Sequence, residues 1–129
     1  RELHALLRRG GVLGGTSAGA AAMSQCMIRE GTATQAVTGR GFPIVTRAVI
    51  DQHFLKRQRE PRLLAVLDER PELWGIGVDE QAALIVEGYQ IRVVGASNVL
   101  LIRSGTSQRG PWRQLLEPDS VADVRELLR

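Results

Sequence analysis

At 129 residues, with 43% apolar content and a formal charge of +3, the chain has the size and composition of one globular domain. Its longest apolar stretches, such as Ala18–Met23 and Val99–Ile102, fall far short of a bilayer span, and its bases are interleaved with acids, which argues against a membrane or nucleic-acid partner. One cysteine, Cys26, excludes an internal disulfide and suits a reducing compartment.

The chain opens with Leu3, Leu6 and Leu7 at helical spacing, so residues 2–9 read as a helix stopped by Gly10-Gly11. It has no initiator Met and no basic leader, and it begins as though inside a helix already under way. The expectation is the C-terminal part of one longer domain rather than a processed product. Any export signal would precede Arg1, and the expected location is the cytoplasm. Val12–Gly14 reads as a short apolar strand, Gly15-Thr16-Ser17 as a sharp turn, and Ala18 to about Met27 as a helix of small residues. Cys26 sits there among Met23, Met27 and Ile28, the setting of a buried, inert thiol.

Residues 29–43, with their glycines, proline and threonines, read as a surface loop. Ile44–Ile50 has the β-branched content of a strand and leads into Asp51-Gln52-His53-Phe54. Pro61 suits the first turn of a helix with Leu63, Leu64 and Leu67 on its inner side. Leu73–Val78 reads as a strand, Ala82–Val86 and Tyr89–Val94 as a hairpin about Glu87-Gly88, and Val99–Arg103 as a further strand. Gly105–Pro118 is turn-rich, and the end reads as a helix capped by Asp119 or Ser120, with Val121, Val124, Leu127 and Leu128 on one side. Alternating helices and strands in the first eighty or so residues imply an α/β fold with a parallel sheet covered by helices. Two or three parallel strands make a thin sheet, which again points to missing N-terminal strands.

Within this frame Gly15-x-Ser17-x-Gly19 places a serine at a strand-to-helix turn. Such a nucleophile elbow exposes the hydroxyl, and glycines are needed where backbone segments crowd. The N–H of Ala18 is then placed for an oxyanion growing on an attacked carbonyl. The plain alternative is a tight βα turn without chemistry. A serine needs a base, and His4 reads as a surface residue of the first helix. His53, at a strand's C-terminal end where sites of open α/β sheets gather, is the better candidate. Asp51 is too near in sequence to bond back to His53, whereas Asp79 or Glu80, after the strand Trp74–Val78, could orient it. Arg57, Arg59 and Arg62 come after the histidine. They make either a site for an anionic group of a substrate or a solvated face with Glu60 pairing locally.

The runs Gly14-Gly15-Thr16-Ser17-Ala18-Gly19-Ala20, Asp51-Gln52-His53-Phe54 with Arg57, Arg59, Arg62 and Leu63, and Gly75-Ile76-Gly77-Val78-Asp79-Glu80 resemble the cyanophycinases. These belong to a wider family of serine peptidases that includes the aspartyl dipeptidase peptidase E. The likeness runs from about Leu7 to Val94. It implies Ser17 as nucleophile, His53 as base and Glu80 as orienting acid, with Asp51, Gln52, Arg57, Arg59 and Arg62 shaping the substrate pocket. No metal and no cofactor are implied. The implied substrate is cyanophycin, a poly-aspartate with arginine on each side-chain carboxyl, cut to β-aspartyl-arginine dipeptides; Asp51 is the nearest acid for its guanidinium groups. The implied fold is a flavodoxin-like, class I glutamine amidotransferase-like three-layer sandwich, and the implied assembly a homodimer. Members are about twice as long as this chain, and their first strands and glycine-rich oxyanion loop have no counterpart in it. Two rival readings stand beside this one: a related peptidase for another aspartyl substrate, and a fragment without activity of its own.

Overall fold

The computed structural model describes residues 1–127, with side chains up to Arg125. Helix α1 (Glu2–Arg8) ends as its glycines predict. Gly10 takes φ +83°, and the N–H groups of Gly11 and Gly10 return to the carbonyls of Leu6 and Leu7, a Schellman closure. The next segment is not the expected strand. Val12 is 90% exposed and, among the described residues, no strand pairs with Val12–Gly14; an extended segment without a ladder partner is not a strand.

Helix α2 (Ala18–Ala21) is one turn long, not the run to Met27 that the small residues suggest. Ser24 stops it. Its buried hydroxyl lies 2.9 Å from the carbonyl oxygens of both Ala21 and Cys26 and accepts the N–H of Ile50 at 3.3 Å, so it competes with the helical ladder. Strand β1 (Cys26–Gly31) then pairs antiparallel with β2 (Ala36–Arg40), where a loop was expected. Of the glycines and threonines that read as loop, Gly31, Thr32 and Thr34 form the turn of this hairpin and Thr38 and Gly39 pair within β2, while the bulge falls between Ile28 and Glu30. Thr32 Oγ1 accepts the N–H groups of Thr34 and Gln35, and Gly31 holds φ +140° against the Gln35 carbonyl. Cys26 and Ile28 point inward, and burial raises the Cys26 thiol above its ordinary pKa.

The centre is a βαβ unit: β3 (Ala48–Gln52), α3 (Glu60–Glu69) and β4 (Trp74–Val78), with β3 and β4 parallel and in register from Ala48–Trp74 to Gln52–Val78. Pro61 sits in the first turn of α3, and Leu63, Val66 and Leu67 are its buried side. The parallel pairing stops there. Antiparallel to β4 lies β7 (Val99–Arg103), and against β7 lies β8 (Trp112–Leu116), a strand within the stretch expected to be turns. Strands β3, β4 and β7 are buried on both faces, which explains their near-continuous apolar runs. Val49, Leu100 and Ile102 pack against α3 and the β1–β2 hairpin. Ile50, Ile76, Val99 and Leu101 pack against a third sheet.

That third sheet is the expected hairpin, β5 (Ala82–Glu87) with β6 (Gln90–Gly95), extended by β9 (Val121–Asp123). The C-terminal helix therefore starts later than the Asp119 or Ser120 cap implies. Residues 121–123 are held in the ladder with β6, and helix α4 (Val124–Leu127) is capped by Asp123, whose Oδ1 accepts the Arg125 N–H at 2.8 Å. Val121 is exposed and Val124 half-buried, while the expected inner placement of Leu127 and Leu128 lies outside the described side chains. The molecule is a mixed α/β structure of three small sheets. Among the described residues no helix is long and apolar enough to cross a membrane.

Candidate active site

Strands β3 and β4 end side by side, so the residues after each strand land at one sheet edge. His53 comes directly after β3, and Asp79-Glu80 directly after β4. Ser17 reaches the same edge from the turn before α2. Its Oγ lies 3.1 Å from His53 Nε2, and His53 Nδ1 lies 2.9 Å from Glu80 Oε1. With the carboxylate as acceptor, Nδ1 carries the proton and Nε2 is left to accept the serine hydroxyl. Gln52 Oε1, 3.5 Å from Ser17 Oγ, is a longer second acceptor. The three side chains thus form one hydrogen-bonded relay, and of Asp79 and Glu80 it is Glu80 that bonds His53.

Two of these side chains stand on left-handed backbone, Ser17 at φ +53° and His53 at φ +51°. Such conformations cost on the order of 1–3 kcal/mol each for residues other than glycine and persist where the surroundings hold them. At the serine the holding is visible: a Cβ on Gly15 would come within 2.5 Å of the Gly19 carbonyl oxygen, so only glycine lets the turn close. Gly19 has open space around it. Ala18, the first residue of α2, has no intrahelical partner for its N–H.

A cavity of about 500 Å³ opens beside the relay, lined by residues 12–17, by Gln52, His53, Asp79 and Glu80, and by Ala82–Val86 of β5. The wall from β5 goes beyond the expectation from the sequence. Its signal is spacing: a strand that starts two residues after Glu80 must pass the site. Asp51, Arg57, Arg59 and Arg62 do not line this cavity. Asp51 is fully buried and is forked by Arg62, whose Nε donates to Oδ2 at 2.8 Å while its second nitrogen bonds Oδ1. Arg59 stands 3.9 Å from the same carboxylate and donates to the Gln52 carbonyl at 2.7 Å. Its guanidinium pKa is lowered, by burial first and by the neighbouring Arg62 second. Arg57 is exposed. The Asp51 carboxylate is therefore occupied from within the protein. His4 is half-buried and 2.9 Å from the Pro43 carbonyl, away from the relay. Among the described residues no group of three or more His, Cys, Asp or Glu is placed to hold a metal ion.

Comparison with known proteins gives the family of the chain. The model of Peptidase family S51 matches residues 1–94. A cyanophycinase of Synechococcus elongatus is 35% identical over 98 residues, which cover 70% of this chain and 30% of that protein. One from Geminocystis herdmanii is 37% identical over 97 residues, 70% of this chain and 36% of that protein. One from Nostoc sp. is 34% identical over 104 residues, 73% and 35%. The matched stretch spans about a third of the length of these relatives.

Proposed function

The chain belongs to peptidase family S51, and from its site we propose that it carries the catalytic residues of a cyanophycinase-like serine exopeptidase that cuts cyanophycin to β-aspartyl-arginine dipeptides. One observation carries the reading: the continuous relay from Ser17 Oγ through His53 to Glu80, at 3.1 and 2.9 Å. In this mechanism Ser17 Oγ attacks the scissile carbonyl of the poly-aspartate backbone as its proton passes to His53 Nε2. Glu80 stabilises the imidazolium, and the Ala18 N–H supports the oxyanion. Collapse of the tetrahedral adduct breaks the peptide bond, and His53 returns the proton to the leaving amine. Water, deprotonated by His53, then hydrolyses the acyl-serine and releases the dipeptide.

Gln52 lines the cavity and serves the substrate directly in this reading, and Arg57 is the exposed cation for a carboxylate of the polymer. Asp51, Arg59 and Arg62 act through the chain segment they brace, since the carboxylate lies inside the protein. The β3–α3–β4 unit is read as part of a flavodoxin-like, class I glutamine amidotransferase-like sandwich, of which this chain holds one portion. A cytoplasmic homodimer completes the proposal.

The test is dipeptide release from purified cyanophycin by the whole protein. Ser17→Ala abolishes it, and Glu80→Gln lowers turnover by about 10³–10⁴-fold. Cleavage of α-aspartyl dipeptides with cyanophycin left intact would move the assignment to the aspartyl dipeptidases. Undiminished activity in the Ser17→Ala variant would end the serine mechanism.

A further inference from the structure

Asp79 stands beside Glu80, yet its carboxylate turns elsewhere. Oδ1 accepts the backbone N–H of Lys56 at 2.9 Å, and Oδ2 accepts the hydroxyl of half-buried Ser97 at 3.0 Å. Lys56 lies in the turn that carries His53 away from β3, and that turn is closed by Arg57 N–H to His53 carbonyl and Arg59 N–H to Phe54 carbonyl bonds, both 3.0 Å. The same turn is fastened to β4 at two further points. The Phe54 N–H reaches the Val78 carbonyl at 3.3 Å, and the Phe54 ring, 1% exposed, lies against Gly77 where any Cβ would collide. His53 begins this turn at φ +51°, an uncommon value for a residue other than glycine.

We propose that Asp79, itself held by Ser97, is the positioning residue of the relay: it fixes the turn after His53 so that Nε2 faces Ser17 while Nδ1 faces Glu80. The proposal rests on the catalytic reading of those three residues. Asp79 touches no reacting atom. It acts by joining the end of β4, which carries Glu80, to the backbone that carries the base, and Ser97 ties both to the start of β7. The carboxylate accepts hydrogen bonds at both oxygens. Burial pushes its pKa up, but the hydrogen bonds it accepts from Lys56, Glu80, Ser97 and Leu55 outweigh that and hold it below the ordinary aspartate value.

The experiment uses the whole protein with Asp79→Ala, Asp79→Asn and Ser97→Ala. Two readouts are taken: the tautomer of His53 from long-range ¹⁵N–¹H correlation at a pH where the ring is neutral, and the rate of Ser17 labelling by a fluorophosphonate. The unsubstituted protein shows a single Nδ1–H tautomer. Asp79→Ala gives a mixture of tautomers and labels on the order of 10-fold more slowly. Asp79→Asn keeps an acceptor for the Lys56 N–H and stays within about threefold of the parent, because the bond and not the charge does the positioning. Ser97→Ala falls between them. Equal loss in the Asn and Ala variants, or an unchanged tautomer and rate in Asp79→Ala, overturns the proposal. If Asp79→Ala does not fold, Ser97→Ala decides: a mixed tautomer supports the brace and an unchanged one refutes it. Absence of Ser17 labelling in the parent protein would count against the catalytic reading, and the tautomer would still report on Asp79.

Discussion

Replacing Arg62 by Met tests whether the Asp51 pair is a brace of the fold. Both partners are inside the protein, Asp51 at 0% and Arg62 at 3% exposure, and the guanidinium meets the carboxylate at both oxygens. At about 4 Å between charge centres and an effective dielectric near 20, the pair is worth about 4 kcal/mol of Coulomb energy. Removing one partner of such a pair strands the other and costs about 3–5 kcal/mol. Arg59, at 3.9 Å from the same carboxylate, relieves part of this, so Arg62→Met is expected at the lower end, about 3 kcal/mol. With a urea m-value near 2 kcal/mol/M, the unfolding midpoint followed by circular dichroism falls by about 1.5 M. The double variant Asp51→Leu with Arg62→Met restores the midpoint to within about 0.5 M, because an apolar pair of similar volume leaves no charge stranded. A midpoint shift below about 0.5 M in the single variant, or a double variant as unstable as the single, refutes the reasoning.

The elbow glycines separate cleanly. Gly15→Ala puts a Cβ on the Gly19 carbonyl and is expected to abolish fluorophosphonate labelling of Ser17, whereas Gly19→Ala, with nothing within 4 Å, labels like the parent. Asp79 has a lowered pKa, so its stabilising bonds are fully present above about pH 4 and vanish as pH falls through the folded value. Asp79→Ala should therefore narrow the stability difference between about pH 5 and pH 2.5 in urea titrations; an unchanged slope contradicts the shift. The thiol of Cys26, buried and raised in pKa, is expected to resist aromatic disulfide reagents in the native protein and to react at once in urea, and prompt native reaction would contradict that placement.

The grouping of Ser17, His53 and Glu80 and the βαβ unit were legible because each rests on local chemistry. Gly15 and Ser17 state a turn, Pro61 and the leucines state a helix, and the apolar runs before His53 and Glu80 state buried strands. Asp79 against Glu80 was not decidable in one dimension. Neighbouring residues leave a strand end toward opposite sides, and which side faces His53 depends on the turn after β3. The hairpin of β1 and β2 was hidden for a different reason: its register depends on Ser24, whose hydroxyl bonds Ile50, a contact 26 residues away. Asp51 and its arginines suggested a charged surface, since burial is not written in a charged residue's identity. Only pairing made the interior tolerable to them.

His53 and Glu80 follow adjacent strands of one buried sheet, while Ser17 stands on a segment in which, from Gly10 to Ala22, Ala21 alone is buried. The two halves of the relay therefore differ in how much free energy resists their displacement. Opening of the elbow segment exposes little apolar surface and leaves the sheet intact, so it is a local event of low cost. Such an opening would leave His53 and Glu80 paired on the intact sheet and put Ser17 out of reach of the imidazole. On the catalytic reading, fluorophosphonate labelling of Ser17 is then expected to fail on warming before the sheet melts and to return on cooling, and loss of both together contradicts it.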